Sequence, residues 1–531
     1  CHLYKNTTKD ENWTSGHNNT TIDYKDKQGK VVLKRTYNDN VKHDTYYVYD
    51  KYGNLSFVIP PAVDVSQPIN QDILNGLCYQ YKYDYRNRLV EKKIPGKQWE
   101  YIVYDKMDKP VATGPALDPF GGNTTGWMIT KYDRFSRVVY TGWIEQEEFS
   151  TEERHATQLL VNGNNTPQYE SKLAQPITVN SVSLPYSNDV QPSGGIIILT
   201  INYYDDYTFT AAPSTIPSQI NGVEILQNVK GMPTGNWTRV LTSPNESLAE
   251  KSFMYYDKRG RAFYTKVNNH LGGHTETFSR LDFQGTPLET QTIHQRDSNP
   301  LVVTIIDEFE YLHNGKLKKH IQKVNNNPQE LIVANTYDEL GQLISKQVGG
   351  QDIQNEIGYQ KIDYRYNIRG WLTHINDIED LRENGALNDD LFAFKINYNE
   401  ITEVDNGDMN LVATSFNNTV KPLFNGNIAE TYWKTGTDDI LRKYSYSYDN
   451  LNRLRKAYFQ KPYDVVSHTQ SFDEYIDYDK NGNIDRLQRF ADQNEYGNVI
   501  EIDALGYHYE QHPSYARCSE KISNEKLRKR L

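Results

Sequence analysis

The sequence predicts an all-β protein built as a long twisted sheet of tandem hairpins, and two observations carry that prediction. The 531-residue chain is polar, with a mean hydropathy of -0.77, yet it contains 41 Tyr and 7 Trp. Tyr favours the half-buried surface of a sheet, because its ring packs against neighbours while its hydroxyl reaches water or a partner. A Tyr-Asp motif also recurs along most of the chain at the spacing of repeat architectures, about 20 to 35 residues. Disordered chains are poor in aromatic residues, so disorder is excluded.

The motif is an aromatic residue, Asp or Asn, two variable residues, Gly or Asn, a basic or polar residue, and an aliphatic one. Clear copies occupy residues 49–55 (YDKYGNL), 256–262 (YDKRGRA), 337–343 (YDELGQL) and 478–484 (YDKNGNI). Variants that keep the same logic begin at Tyr83, Tyr132, Tyr366 and Tyr448, and weaker ones begin at Tyr104, Leu281, Tyr311 and Phe424. Many copies of one local signal indicate many copies of one structural unit.

Turn chemistry explains the spacing within the motif. Asp or Asn is preferred at the first position of a type I turn, and Gly is preferred three residues later. A left-handed residue after such a turn makes a hairpin with a bulge; Gly adopts that conformation freely and Asn tolerates it, as at Asn87 and Asn452. Upstream residues alternate with period two, as in Tyr79-Gln80-Tyr81-Lys82-Tyr83, which indicates a strand with one aromatic face. Because a lone hairpin is marginal, successive hairpins are expected to pair edge to edge.

The density of the motif divides the chain into four parts. Residues 1–140 and 251–490 are predicted to be repeat sheet. Residues 141–250 are a looser β segment with loops or an insertion, in which Tyr203-Tyr204-Asp205-Asp206-Tyr207 is at best a degenerate copy of the motif. Residues 491–531 are a degenerate end with a basic tail. The absence of an initiating Met and the fading repeat lead us to expect a portion of a longer architecture.

Composition argues against several kinds of partner. A net charge of -11 argues against a nucleic-acid binder, which normally presents a basic face. The three cysteines, Cys1, Cys78 and Cys518, match no metal-binding spacing and are too few for a disulfide framework. No apolar window is long enough to span a bilayer, and no signal segment precedes Cys1. We therefore predict no cofactor, no metal and no transmembrane segment.

Neither the carboxylates nor the histidines mark a catalytic or metal site. Glu145, Glu147, Asp377 and Asp380 could suggest the paired acids of a glycoside hydrolase, but their spacing marks no site. The closest histidine pairs lack a third ligand in a recognisable zinc motif; these pairs are His270 with His274, and His508 with His512. Phosphate-binding Gly-rich loops and Gly-x-Ser-x-Gly elbows are absent. The prediction is a protein that is not an enzyme and has no catalytic, cofactor-binding or metal residues.

Three longer stretches resemble the YD-repeat, or Rhs-repeat, proteins of the polymorphic-toxin type found in Bacteroidetes-like bacteria. They are residues 363–372 (DYRYNIRGWL), 422–433 (PLFNGNIAETYW) and 446–454 (YSYDNLNRL), and the resemblance covers roughly residues 20 to 490. It implies a β-strip that spirals into a hollow shell around a C-terminal toxin, delivered between competing bacteria, and a secreted or cell-surface location. The core motif and toxin that follow the shell in the family are not recognised here. We therefore expect a shell segment without cap or cargo, whose partner would be a toxin domain outside this chain.

A cell-surface adhesin is the alternative interpretation, because exposed Tyr and Trp can stack on sugar rings or contact a surface protein. The two interpretations differ in where the aromatic faces lie. The shell interpretation predicts that the aromatic faces are packed and turned inward, whereas the adhesin interpretation predicts that they are exposed.

Overall fold

A computed structural model describes residues 3–163, 167–209, 212–382, 389–402, 419–464, 466–494, 496–507 and 509. It confirms the predicted all-β class: 30 strands form one antiparallel sheet, and two further hairpins lie outside it. Within the described residues, no helix has the length and apolar character required to cross a bilayer.

The bounds of the elements are as follows. Strands β1 to β11 are Tyr4–Lys9, Thr20–Lys25, Val31–Asn38, Val41–Tyr49, Leu55–Ile59, Tyr79–Tyr83, Leu89–Lys93, Glu100–Tyr104, Pro110–Leu117, Thr125–Tyr132 and Val138–Glu145. Strands β12 to β22 are Lys172–Val179, Val182–Tyr186, Ile197–Tyr204, Gln219–Ile220, Val223–Glu224, Pro233–Arg239, Ala249–Tyr256, Ala262–Asn268, Gly272–Leu281, Pro287–Asp297 and Val302–Tyr311. Strands β23 to β34 are Leu317–Val324, Glu330–Tyr337, Leu343–Val348, Gln360–Tyr366, Leu372–Ile375, Phe392–Asn397, Glu430–Thr435, Arg442–Tyr448, Leu454–Gln460, Glu474–Tyr478, Ile484–Gln493 and Val499–Gly506. The helices are α1 (Gln71–Leu77) and α2 (Thr151–Val161).

The large sheet is a meander in which each strand pairs with the next one along the chain. Only β12–β13 and β15–β16 are bypassed, since β11 pairs with β14 and β14 pairs with β17. Successive turns therefore alternate between the two edges of the strip. We call the edge that carries the Tyr-Asp turns the motif edge; it includes residues 26–30, 50–54, 84–88, 105–109, 133–137, 257–261, 282–286, 312–316, 338–342, 367–371, 449–453 and 479–483. The opposite, return edge includes residues 10–19, 39–40, 60–78, 94–99, 118–124, 269–271, 298–301, 325–329, 349–359 and 436–441.

The motif Asp organises each turn as predicted. In the turn at 84–88, the Asp84 carboxylate accepts from the backbone N–H groups of Arg86 and Arg88, and the Asn87 N–H donates to the Asp84 carbonyl. Asn87 and Asn452 have φ of 61° and 63°, which confirms that Asn replaces Gly at the left-handed position. The strand register shifts at the motif Tyr, for example between Lys82 and Tyr83, as the expected bulge requires.

At many turns the motif Tyr, or a Tyr at the equivalent position such as Tyr398 or Tyr509, ties a hairpin to the one before it. Its hydroxyl donates to the carbonyl at or near the start of the strand that follows the preceding motif turn. This contact recurs along the strip: Tyr49 to Val31 (3.0 Å), Tyr104 to Leu89 (2.8 Å), Tyr132 to Pro110 (2.9 Å), Tyr311 to Pro287 (3.0 Å), Tyr337 to Leu317 (2.9 Å), Tyr398 to Leu372 (3.0 Å), Tyr448 to Ile428 (3.0 Å) and Tyr509 to Ile484 (2.9 Å). Where a Tyr occupies this position, the repeat thus uses its hydroxyl as well as its ring.

The basic residue of the motif ties each turn to the one after it. Arg453 pairs with its own Asp449, donates to the Asp479 carbonyl of the next turn, and lies 4.6 Å from the ring centroid of the next motif tyrosine, Tyr478. The same cation–π arrangement joins Arg88 to Tyr104 (4.7 Å), Lys109 to Tyr132 (4.7 Å) and Lys316 to Tyr337 (5.3 Å). Ion pairs, hydrogen bonds and cation–π contacts therefore connect these neighbouring turns along the motif edge.

Residues 141–250 contribute β14 and β17 to the large sheet, together with the two hairpins that lie outside it. Tyr204-Asp205 works as a motif despite its degenerate sequence: the Tyr204 hydroxyl donates to the Val138 carbonyl (3.0 Å), and Asp205 binds the Arg137 guanidinium through both oxygens (2.9 and 2.7 Å). The copy is hard to recognise because a loop that extends to β17 replaces the short turn, and Asp205 itself takes the positive φ, 76°.

The largest buried cluster lies where an inserted segment covers one face of the sheet. This segment, the inserted cover, consists of the described residues between β11 and β14 and contains α2 and the β12–β13 hairpin. Its Val161 and Leu184 pack in one cluster with Val103, Ile129 and Ile198 of the sheet. Beyond the cover, most side chains of strands such as β21 and β23 are only half-buried on both faces, so the sheet there is a single layer.

The tyrosine contact can be tested with Tyr337→Phe, which keeps the ring and removes the hydroxyl bonded to Leu317. We expect the free energy of unfolding to fall by about 1 kcal/mol, because one hydrogen bond is lost. The Leu317 carbonyl keeps its second donor, Asn335 Nδ2, at 3.0 Å. Tyr85→Phe is the matched control, since that ring is 89% exposed. Equal urea midpoints for the two variants would show that the hydroxyl contact contributes nothing.

The left-handed turn position can be tested at Ser136, which has a φ of 66°. Ser136→Gly is expected to stabilise the protein by up to about 1 kcal/mol, because Gly avoids the steric cost of a left-handed L-residue. Ser136→Ala keeps the Cβ and should leave the urea midpoint close to wild type. A destabilised Gly variant would contradict this account of the turn.

Candidate functional site

The beginning of the strip and its last third meet in a seam that joins the two edges. On the return edge, the seam comprises turns near residues 10–19, 38–40 and 62–64; on the motif edge, it comprises turns near 424, 450–452 and 480–481. The hydrogen bonds across it, donor first, are Phe424 N to Asn12 Oδ1 (2.7 Å), Asn450 Nδ2 to Asn19 Oδ1 (2.9 Å), Asn450 N to Asn38 Oδ1 (3.1 Å), Asp39 N to Asn450 Oδ1 (3.0 Å), Ala62 N to Asn481 Oδ1 (2.8 Å) and Asn452 Nδ2 to Asp10 Oδ2 (3.4 Å). His43 Nδ1 also lies 3.2 Å from the Lys480 carbonyl oxygen.

These contacts define the path of the strip. Partners across the seam are 411 to 442 residues apart, from Asp39–Asn450 to Asp10–Asn452. The strip thus passes once around and lies alongside its own beginning, with a motif edge against a return edge. In the described residues no strand pair joins the two ends of the sheet, so the sheet winds as an open spiral.

The seam is polar, and its chemistry favours this pairing of edges. Asn450 supplies both halves of its amide and its backbone N–H, satisfying groups on three return-edge residues. Across the seam, the Lys480 ammonium helps to hold the pKa of Asp64 below its usual range, after the larger contributions from Ser66. A cationic motif turn therefore faces an anionic return turn.

The faces of the strip do not present the motif tyrosines as an open platform. Tyr49, Tyr104, Tyr337 and Tyr448 are half-buried, and Tyr256 is buried. Their rings lie between neighbouring hairpins, and partial burial raises the pKa of Tyr104 and Tyr448. The aromatic face therefore serves mainly as packing surface within the sheet.

A buried carboxylate, Glu170, anchors the inserted cover to the strip. Lys131 and Tyr140 approach it from β10 and β11, whereas Ser187 and Val190 approach it from the cover. The contacts to its oxygens are Lys131 Nζ (3.3 Å), Tyr140 OH (3.1 Å), Ser187 Oγ (2.6 Å), Asp189 N (3.1 Å) and Val190 N (3.1 Å). Burial lowers the pKa of Lys131 to about 8, although Glu170 acts in the opposite direction, and burial raises the pKa of Tyr140. The sequence analysis did not identify this cluster, because no local spacing connects its members.

The carboxylates that could have suggested a hydrolase lie in separate return turns. Asp377 and Asp380 follow β27 and accept the backbone N–H groups of the residues two positions later. Glu145 ends β11 and Glu147 follows it, on a different turn of the strip. These contacts give Asp377 and Asp380 a role in turn structure.

The histidine pairs take different partners. His270 Nδ1 lies 2.8 Å from Glu250 Oε1, and His274 Nε2 lies 3.4 Å from Glu276 Oε1. His508 and His512 lie outside the described residues. Over the part of the chain that is described, no three His, Cys, Asp or Glu side chains converge as metal ligands.

The anchor can be tested with Glu170→Gln, which leaves the Lys131 ammonium buried without its counter-charge. We expect the free energy of unfolding to fall by about 3 kcal/mol or more, because an unpaired buried charge is costly. The double variant Glu170→Gln/Lys131→Met removes both charges and should recover most of that loss in chemical denaturation. A single variant as stable as wild type would contradict an anchoring role.

Comparison with known proteins identifies relatives at the level of fold. No family model matches the sequence, and no curated protein matches it either. The crystal structure of TcdB2-TccC3 is similar, with a TM-score of 0.54 and 12% identity over 93% of this chain and 21% of that chain. The crystal structure of TcdB2-TccC3-TEV gives 0.53 and 12% over 95% of this chain and 20% of that chain. The chain spans about a fifth of the length of these structures, and the similarity supports the YD-repeat fold that the motifs predict.

Proposed function

We propose that this chain is a structural segment of a Rhs-type shell that walls a chamber around a polypeptide toxin, and that it has no catalytic activity of its own. The observation that carries the proposal is the seam: a single-layered strip that passes alongside its own beginning makes a wall rather than a flat sheet. The fold shared with the TcdB2-TccC3 structures and the resemblance to toxin-carrying YD-repeat proteins support the same role. A secreted or cell-surface location belongs to this proposal.

The polar seam fits a container because it lets windings lie side by side without strand pairing. Strand pairing would fix the radius of the wall by closing it into a barrel, whereas turn-to-turn contacts let further repeats continue the spiral. The seam hydrogen bonds of Asn450 satisfy the backbone N–H groups of Asp39 and Asn450 itself, and a third bond joins its side chain to that of Asn19. A wall of this kind shields its contents from proteases without binding any particular sequence.

The adhesin alternative receives no comparable support. Its main argument was an exposed aromatic face, whereas motif tyrosines such as Tyr104 and Tyr337 are half-buried, with hydroxyls bonded to backbone carbonyls. A sugar that stacked on those rings would have to displace contacts within the sheet.

The container role is tested by appending a flexible, protease-sensitive peptide after Leu531 and measuring its initial rate of cleavage. We expect cleavage to be about tenfold slower than for the same peptide on an unrelated globular carrier, because only the open fraction of the molecules admits the protease. Asn450→Ala/Asn481→Ala removes the side-chain contacts of the seam to Asn19, Asp39 and Ala62 and should bring the rate back toward that of the carrier. Leu159→Ala, on the exposed surface of α2, is the matched control and should protect as wild type does. Equal cleavage on wild type and on the unrelated carrier would refute a container role.

A further inference from the structure

The motif edge is covered in one part of the molecule and bare in another. At the seam, the two residues at the tip of the turn, Asn450 and Leu451, are half-buried. At the same two positions of earlier motif turns the side chains are exposed, and several are large and apolar. They are Tyr52 (69% exposed), Tyr85 (89%), Met107 (52%), Phe135 (59%), Phe283 (80%), Leu340 (86%) and Ile368 (104%). We call the turns that carry these seven residues the free motif edge.

Charge distinguishes the two edges. Beside its apolar tips, the free motif edge exposes more cations than acids: five cations, Lys51, Arg86, Lys106, Arg134 and Arg369, against two acids, Asp108 and Glu339. We call the return turns outside the seam the free return edge; it includes residues 94–99, 118–124, 298–301, 325–329, 349–359 and 436–441. Its acids include Asp118, Asp352, Asp438 and Asp439. This is the polarity seen within the seam, where Lys480 of a motif turn acts on Asp64 of a return turn. The free motif edge and the free return edge are therefore complementary surfaces on one molecule.

We propose that the free motif edge docks on the free return edge of a second copy of this chain, through turn-to-turn contacts like those of the internal seam. The occupant is a second copy because the chain itself carries a return edge whose fit to a motif edge is visible in the seam. Exposed apolar side chains in a row, flanked by cations, are otherwise an association hazard. The inference rests on the seam and its exposed continuation and does not depend on the proposed function.

Such an interface joins two different surfaces, so it does not close on itself. One copy offers its motif edge and its neighbour offers its return edge, which leaves a free edge at each end of a dimer. Association should therefore continue beyond the dimer with rising concentration. Because cations face acids near the surface, added salt should weaken it.

The experiment is sedimentation velocity of the full chain over about a hundredfold range of concentration, at low and at high salt. We expect the sedimentation coefficient to rise with concentration and to fall when salt is added. A chain that stays monomeric at every concentration would overturn the proposal.

Two variants test which surfaces meet. Arg134→Glu/Leu340→Asp changes only the free motif edge, and Leu301→Lys/Asp352→Lys changes only the free return edge. Each variant alone should stay monomeric, whereas an equimolar mixture should form a dimer and stop there, because only one intact motif edge and one intact return edge can meet. Leu159→Asp, at a residue that is 60% exposed on α2 and on neither edge, should associate like wild type.

Leu340→Ser and Leu301→Ser provide milder changes if the charge variants alter the circular dichroism spectrum. They should weaken association at least about fivefold without changing the fold. Association that survives the motif-edge changes, or a mixture of the paired variants that forms no dimer, would show that the interface is not motif edge on return edge.

Discussion

The structure depends on the contact that each motif tyrosine makes with the hairpin before it. A two-stranded hairpin is marginal in water, so a strip of hairpins is stable only if each unit gains from its neighbours. Two contacts of Tyr337 stabilise its hairpin against the preceding one. Its hydroxyl donates to the Leu317 carbonyl, and the Lys316 ammonium lies near its ring. Single contacts of this kind contribute about 1 kcal/mol. Their effect comes from recurrence, since the same pair of contacts is made at turn after turn.

This arrangement also explains how a chain poor in aliphatic core residues folds. Where the sheet is a single layer, its stability comes from pairing and packing between neighbouring hairpins rather than from a second layer. Two sets of contacts between residues distant in sequence add to this local stabilisation. The inserted cover adds an aliphatic core on one face, anchored by the fully bonded Glu170, and the seam adds contacts between turns 411 or more residues apart.

Sequence alone predicted the parts of the structure that are local. Asp84 and Asn87 predict a turn, because the Asx hydrogen bonds and the left-handed φ of a turn depend on only four or five neighbouring residues. Alternation in Tyr79 to Tyr83 likewise predicts a strand. The hydroxyl contact of the motif Tyr could not be predicted, because its acceptor, such as Val31 for Tyr49, is defined only after two hairpins have been placed side by side.

The long-range features could not be predicted for the same reason. Asn450 reads as an ordinary variable residue of a turn, yet it makes three hydrogen bonds to residues near the beginning of the chain. Glu170 lies in a stretch that reads as loop, and its partners Lys131 and Tyr140 come from a different part of the sequence. The sequence pattern ranked Tyr204-Asp205 as a degenerate copy because a long loop replaces its turn, although its contacts with Val138 and Arg137 keep the geometry of the repeat.

The central claim is that the strip winds past its own beginning, and a distance between the two windings tests it most directly. Spin labels at Lys42 and Lys480, in a background with Cys1, Cys78 and Cys518 replaced by Ala, place one label on each side of the seam, because neighbouring His43 lies 3.2 Å from the Lys480 carbonyl. A control pair at Lys42 and Asn326 spans two distant parts of the strip. The account predicts a short, narrow distance distribution for the first pair and a long one for the second, whereas a long or broad distribution for the seam pair would contradict it.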